Sequence, residues 1–334
     1  MQQRVRIRDI ADELGLSCAT VSNVIHGKTQ KVSTQTIARV QALLEKRQYI
    51  PSMAGLLLAQ NDSRIIGVFL NDHEKYEGHP LEDAFLAASV NALSTEIEAQ
   101  GQFMMVKKAK NAADILRFAS MWNMDGVVMI GFCRQDYLYL RNHMHIPFVV
   151  YDGSCPSPER FVNITIDDRD GGAQVGALLR RLGHRRALCV ADNQVGVDAA
   201  RMQGFCEAFG AGNVSQLLVP MHRDDRLAFY ARKLPLLRQV TAVFAMSDLY
   251  AIELIQFLHG QGLRVPDDLS VAGFDDIPLA RQLHPALTTV RQDSTLRAKT
   301  ALGMLQALRA SQDVSPTVTL PVELVVREST ACPK

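Results

Sequence analysis

The side chains best suited to gripping a small polar molecule stand just past the ends of short apolar runs. Asn71 follows the run 65–70, Asp152 follows 148–151, Ser247 and Asp248 follow 242–245, and Asp275 follows 270–273. Carboxylates accept hydrogen bonds from hydroxyls, and Arg201 offers a forked donor array to a ring oxygen or hydroxyl. A single aspartate in such a place says little, since Asp152-Gly153 and Asp275-Asp276 also suit turns and Asp248 suits a helix N-cap. As a set, Asn71, Asp152, Arg201, Ser247 and Asp275 are expected to converge on a ligand, with Asp248 structural. Phe85 and Phe274 are candidates to stack on a ring, and the polar stretch 72–80, with His73 and His79, is a candidate for setting specificity.

A second constellation lies in 17–27. Helical spacing buries Val21, Val24 and Ile25 and turns Cys18, Ala19, Ser22, Asn23 and His26 outward. The small residues of its first turn allow close backbone approach, and the hydroxyls of Ser17, Thr20 and Ser22 suit phosphate oxygens, so this face fits a major groove. Catalytic readings are poor by comparison. Asp167-Asp168 and Asp275-Asp276 are sequence neighbours whose side chains point apart in an extended segment. His143 and His145 lack acidic or thiol partners at a zinc-like spacing, and no G-x-x-x-x-G-K, G-x-G-x-x-G or G-x-S-x-G occurs. No enzyme, cofactor or metal is therefore expected. The six cysteines form no C-x-x-C pair and read as reduced thiols acting as small hydrophobes.

The elements that must position these residues follow from periodicity. Between 7 and 49 apolar residues at helical spacing predict three short helices, with Gly15 and Gly27 ending the first two and Ser17 and Ser33 capping the second and third. The two-residue link Gly15-Leu16 before Ser17 is the tight connection of a helix-turn-helix. From 64 onward about ten short strands alternate with helical stretches, too many for one comfortable sheet, so two α/β subdomains with parallel sheets are expected. Between them, 51–63 holds Pro51, Gly55 and Leu56 to Leu58 in a marginal helix that needs a partner to fold.

Composition agrees: 47% apolar and 21% charged residues in 334 exclude disorder and fibrous classes. Residues 1–63 carry eight Lys/Arg against five Asp/Glu, a net +3, whereas the rest is net −2, which places any polyanion contact at the head. No apolar run approaches the ~20 residues of a membrane span. None follows Arg4, Arg6 and Arg8 as in a secretory leader, so a cytoplasmic protein without membrane partners is expected.

The strings Ile7-Arg8-Asp9-Ile10-Ala11, Ser17 through Gly27, Val32-Ser33 and Tyr49-Ile50-Pro51 resemble the lac repressor/galactose repressor family of bacterial transcription regulators. The likeness continues through 65–68, 183–186, 201–205, 271–276 and 287–293, in the family's order. It implies an all-α helix-turn-helix DNA-binding headpiece (1–50), a hinge helix (51–63), and a core (64–334) of two α/β lobes similar to periplasmic binding proteins. The lobes are expected at 64–164 plus 293–316 and at 165–292 plus 317–330. It implies a homodimer, or a tetramer, on palindromic operator DNA, and a repressor released by a sugar or sugar derivative. A corepressor-dependent regulator with a nucleobase effector is the alternative within the family, and a sugar solute-binding protein the alternative outside it. Base-reading positions fall on Cys18, Ala19 and Asn23, and Leu58 aligns with the leucine these proteins wedge into the minor groove. Relatives commonly carry Arg where Asn23 stands; Asn pairs with adenine where Arg pairs with guanine. In sugar-responsive relatives Asp152, Arg201 and Asp275 match effector contacts, and Ser247 matches a polar one.

Overall fold

A computed structural model describes residues 5–50, 63–153 and 162–334, and the chain divides into two compact units, 1–63 and 64–334. The first unit holds α1 (Ile7–Leu14), α2 (Cys18–Ile25) and α3 (Thr34–Lys46). Their ends form where the sequence places them. Gly15 closes α1 at φ +67, a left-handed conformation that costs glycine nothing. Ser17 Oγ accepts from the Thr20 N–H at 3.1 Å and Ser33 Oγ from the Thr36 N–H at 3.2 Å, each satisfying a donor that helix geometry leaves orphaned. Ile10, Ala11, Val21, Val24, Val40 and Leu43 form one buried cluster. Arg47 clamps Glu13 at 2.7 and 3.0 Å, tying the end of α3 to α1. The hinge expectation, with Leu58, lies outside the described residues.

The second unit contains strands β1 (Ile65–Asn71), β2 (Phe103–Ala109), β3 (Gly126–Ile130), β4 (Phe148–Tyr151), β5 (Asn163–Ile166), β6 (Ala187–Ala191), β7 (Val214–Leu218), β8 (Ala242–Ala245), β9 (Ser270–Ala272), β10 (Thr289–Arg291), β11 (Thr317–Leu320) and β12 (Glu323–Val325). Its longer helices are α4 (Ala84–Ala99), α5 (Ala112–Met121), α6 (Arg134–His143), α7 (Asp168–Arg181), α8 (Gly196–Phe209), α9 (Arg223–Leu237), α10 (Asp248–Gly260), α11 (Pro278–Gln282) and α12 (Ser294–Arg309). The first lobe is a parallel sheet in the order β11-β5-β4-β3-β1-β2; the second is a parallel sheet ordered β7-β6-β8-β9. Helices cover both faces, which is why β1, β3 and β6 are unbroken apolar runs buried nearly end to end.

Two expected boundaries move. Residues 317–320, expected in the second lobe, form β11, which pairs in parallel with β5 at the edge of the first sheet, and all of β5 belongs there too, through 166. The cause is long-range pairing: after α12 packs on the first lobe, the chain adds one more strand to that sheet before β12 returns to pair antiparallel with β10. Of the cysteines, Cys189 is buried while Cys18, Cys133 and Cys332 are exposed, so the small-hydrophobe reading fails for these three.

Two helices of the second lobe meet at backbone distance. A Cβ on Gly172 would strike the Arg201 carbonyl, and one on Gly204 would strike the Arg169 carbonyl, so α7 and α8 cross with their backbones in contact. That crossing sets Asp168 opposite Arg201.

Candidate functional site

In the headpiece, α2 buries Val21 and Val24 and leaves Cys18, Ala19 and Asn23 exposed. Ser22 and His26 are only half-exposed, less free than helical spacing alone implied. Ser17 Oγ also lies 2.9 Å from Thr20 Oγ1, so the cap holds both hydroxyls at the helix start, where N–H groups and the helix dipole favour a phosphate oxygen.

Between the lobes of the core lies a cavity of about 240 Å³. Asp152, Arg201, Ser247 and Asp275 all line it, as expected of strand-end residues in a two-lobed α/β protein. The backbone helps aim the two aspartates, since Asp152 sits at φ +70 and Asp275 at φ +123, conformations that disfavour L side chains and concentrate at functional sites. Asn71 does not reach the cavity: its amide donates to the Gly131 carbonyl at 2.7 Å. Ser247 both lines the wall and caps α10 through the Tyr250 N–H at 3.4 Å. Asp248 is wholly buried, bonded to Thr289 Oγ1 at 2.5 Å and to the Ile277 N–H at 2.9 Å: it is structural, but as a link between distant segments and not as the helix N-cap expected of it.

Arg201 does not present a free fork to the cavity, contrary to expectation. It stands instead in the second turn of α8, 5% exposed, with Nε on Asp168 at 2.7 Å and Nη1 on the Met246 carbonyl at 2.5 Å. Its guanidinium lies 3.7 Å from the centre of the Phe274 ring. Phe274 is fully buried and serves Arg201, while Phe85 is the ring that reaches the cavity. Within the stretch 72–80, Lys75 and Tyr76 line the cavity. His73 instead accepts from the Lys75 N–H at 3.2 Å, and His79 faces Glu82 at 3.9 Å.

The wall is crowded with carboxylates. Burial pushes Asp168 up to about 6 and Asp198 up to about 7, and lifts Asp275 well above the usual range, although Arg201 pulls each of them down. Asp192 goes the other way: burial opposes its charge, but Lys75 and the Tyr250 hydroxyl at 2.8 Å hold it low. Beneath Tyr250, Arg226 and Glu253 form a buried two-bond pair at 2.6 and 2.9 Å. Sequence reasoning misses Asp83, Asp192, Asp198 and Tyr250, because a turn, a cap and an ordinary helix residue look the same in a sequence whether or not they face a cavity. Among the described residues no cluster of His, Cys, Asp and Glu could hold a metal ion, and no helix is long and apolar enough to cross a membrane.

Residues 6–52 match the bacterial regulatory proteins of the lacI family, and residues 177–330 match the periplasmic binding protein-like domain. The chain belongs to the lacI family. It is a DNA-binding transcriptional repressor, and its relatives are regulators, not enzymes. Among them, the HTH-type transcriptional repressor PurR of Mannheimia succiniciproducens is 29% identical over 337 residues, covering 97% of this chain and 98% of the relative. The fold is that of the lac repressor dimer bound to operator and the anti-inducer ONPF (TM-score 0.85, 23% identity, 98% of this chain and 100% of that one). The transcriptional regulator CelR in complex with cellobiose gives a TM-score of 0.70 at 25% identity, over 98% of this chain and 100% of that one.

Proposed function

We propose that this lacI-family repressor binds a palindromic operator as a homodimer and that a small uncharged ring compound in the interlobe cavity sets its hold on DNA. The observation that carries the reading is the convergence of Asp152, Arg201, Ser247 and Asp275 on one cavity, in a chain whose separate headpiece turns Asn23 outward. A ligand that bridges the lobes favours one lobe arrangement over another, and any change this makes in how two cores meet is felt by paired headpieces. For the dimer, Phe103 and Val106 on edge strand β2, with Met121 and Trp122 at the end of α5, leave apolar surface exposed on the first lobe.

For the ligand, the relatives named PurR, matched over nearly the whole chain, favour a nucleobase acting as corepressor. A carbohydrate inducer is the second reading, supported by the wall itself: Asp83, Asp152, Asp192, Asp198 and Asp275 present acceptors to a hydroxyl-rich ligand. Operator titrations at fixed salt, with hypoxanthine, guanine, galactose, ribose or cellobiose present, separate the two. A nucleobase that tightens operator binding establishes the corepressor, and a sugar that loosens it establishes the inducer. Operator affinity unmoved by every compound that binds the core removes the ligand-controlled reading.

A further inference from the structure

Arg297, in the first turn of α12, is 1% exposed and stands directly behind the cavity wall. Its guanidinium lies 5.6 Å from the Phe85 ring centre and 5.2 Å from that of Tyr151. Asp152 Oδ1 approaches Nη2 at 3.4 Å without hydrogen-bond geometry. Among the described residues neither Nη1 nor Nη2 of Arg297 has a hydrogen-bond partner, and neither has Asp152 Oδ1 or Gln292 Oε1. Asp152 and Gln292 both line the cavity, and Gln292 Nε2 donates to Asp275 at 2.6 Å, which leaves the amide oxygen for another group. Buried polar atoms are almost always satisfied, so a long Arg297–Asp152 ion pair without hydrogen bonds, at a cavity that Asp152 and Gln292 line, marks where a further polar group belongs.

Resting on the effector reading above, we propose that Arg297, Asp152 and Gln292 form a specificity subsite for an uncharged edge of the effector that presents an acceptor beside a donor. The chemistry follows from the inventory. Arg297 only donates, and Asp152 Oδ1 and Gln292 Oε1 only accept, so the incoming group must do both. An oxo group next to a ring N–H does this, and so does a pair of sugar hydroxyls. A phosphate or carboxylate satisfies Arg297 alone and meets the Asp152 carboxylate head-on, and the wall's cations Lys75, Arg201 and Arg226 already serve Asp192, Asp168 and Glu253. The subsite therefore selects the free, unphosphorylated form of its ligand.

The test is calorimetric titration of the full-length protein with hypoxanthine, guanine, galactose and ribose, each beside an anionic counterpart: inosine monophosphate, guanosine monophosphate, galactose 1-phosphate and ribose 5-phosphate. Wild type, Arg297→Met and Arg297→Lys are compared, with melting curves to establish that each is folded. The neutral member of the binding pair should bind wild type at least 10-fold more tightly than its phosphate. Arg297→Met should weaken it by about 10-fold or more, as for a lost charge-assisted bond, and Arg297→Lys should restore part of the loss. Binding by nucleobases or by sugars tells which source supplies the edge. A phosphate that binds as well as its neutral form, or a folded Arg297→Met that binds as wild type does, overturns the subsite while leaving the effector reading intact. If no neutral compound binds wild type, the effector reading falls and the subsite with it.

Discussion

Asn23 is exposed on α2 where relatives commonly have Arg, so Asn23→Arg should move the half-site preference toward guanine by ~1–3 kcal/mol if the contact is bidentate. Selection of bound sites from a random pool checks this, and an unchanged preference would mean that Asn23 reads no base. In the core, Arg201→Ala should leave a repressor that holds operator but no longer answers its ligand. It should also destabilise the core, because Asp168 and Asp275 then face each other without their shared cation; breaking a buried pair costs ~3–5 kcal/mol. Since Asp168 takes up a proton near about 6, the loss should be larger at about pH 8 than at about pH 5 in denaturant titrations. Asp198 allows a cleaner pH test. Its folded value of about 7 lies above the ~3.9 of an unfolded aspartate, so the folded state binds the extra proton and stability from this group declines as pH rises through that window. Asp198→Asn should match wild type near about pH 4 and melt higher near about pH 8. Parallel melting curves for the two proteins across that range would show that Asp198 is ionised throughout.

At the scale of elements, the contact of α7 with α8 holds the site together. Gly204→Ala places a methyl against the Arg169 carbonyl, and backbone cannot yield as a flexible side chain does. The helices must separate, at a cost of ~1–3 kcal/mol or more, and Asp168 then drifts from Arg201. We expect both a lower denaturation midpoint and weaker effector binding; a fall in stability with unchanged ligand affinity would uncouple the crossing from the site. Helix caps are legible from the sequence, since Ser17, Ser33 and Gly15 act within one turn of their own position, whereas Asp248, which suits a cap, bonds Ile277 and Thr289 far along the chain and leaves the cap to Ser247. Lobe membership of 317–320 is not, because parallel pairing joins β11 to a strand some 150 residues earlier and leaves no local mark in either segment.

For the whole molecule, the division at 63/64 puts α2, proposed to meet the operator, and the cavity, proposed to take the ligand, in different units. Removing residues 1–63 should abolish operator binding at low salt and leave ligand binding to the core unchanged, as read by electrophoretic mobility shift and calorimetry. Operator affinity retained by the core would sink the assignment of DNA contact to α2. The amino-acid sequence by itself determined the family, the three-helix head and the alternating α/β core, because periodicity, capping and motif spacing are local properties. It also placed Asp152, Ser247 and Asp275 on the cavity, because loops at the C-terminal ends of parallel strands meet there in any such fold. Tertiary packing sets that Asn71 turns away, that Arg201 is spoken for by Asp168 and Met246, and that Arg297 faces Asp152 at 3.4 Å without a hydrogen bond from Nη1 or Nη2. The physical reason is that a side chain's partners are set by distances between segments far apart in the chain, and a buried polar group takes whichever partner packing brings within about 3 Å.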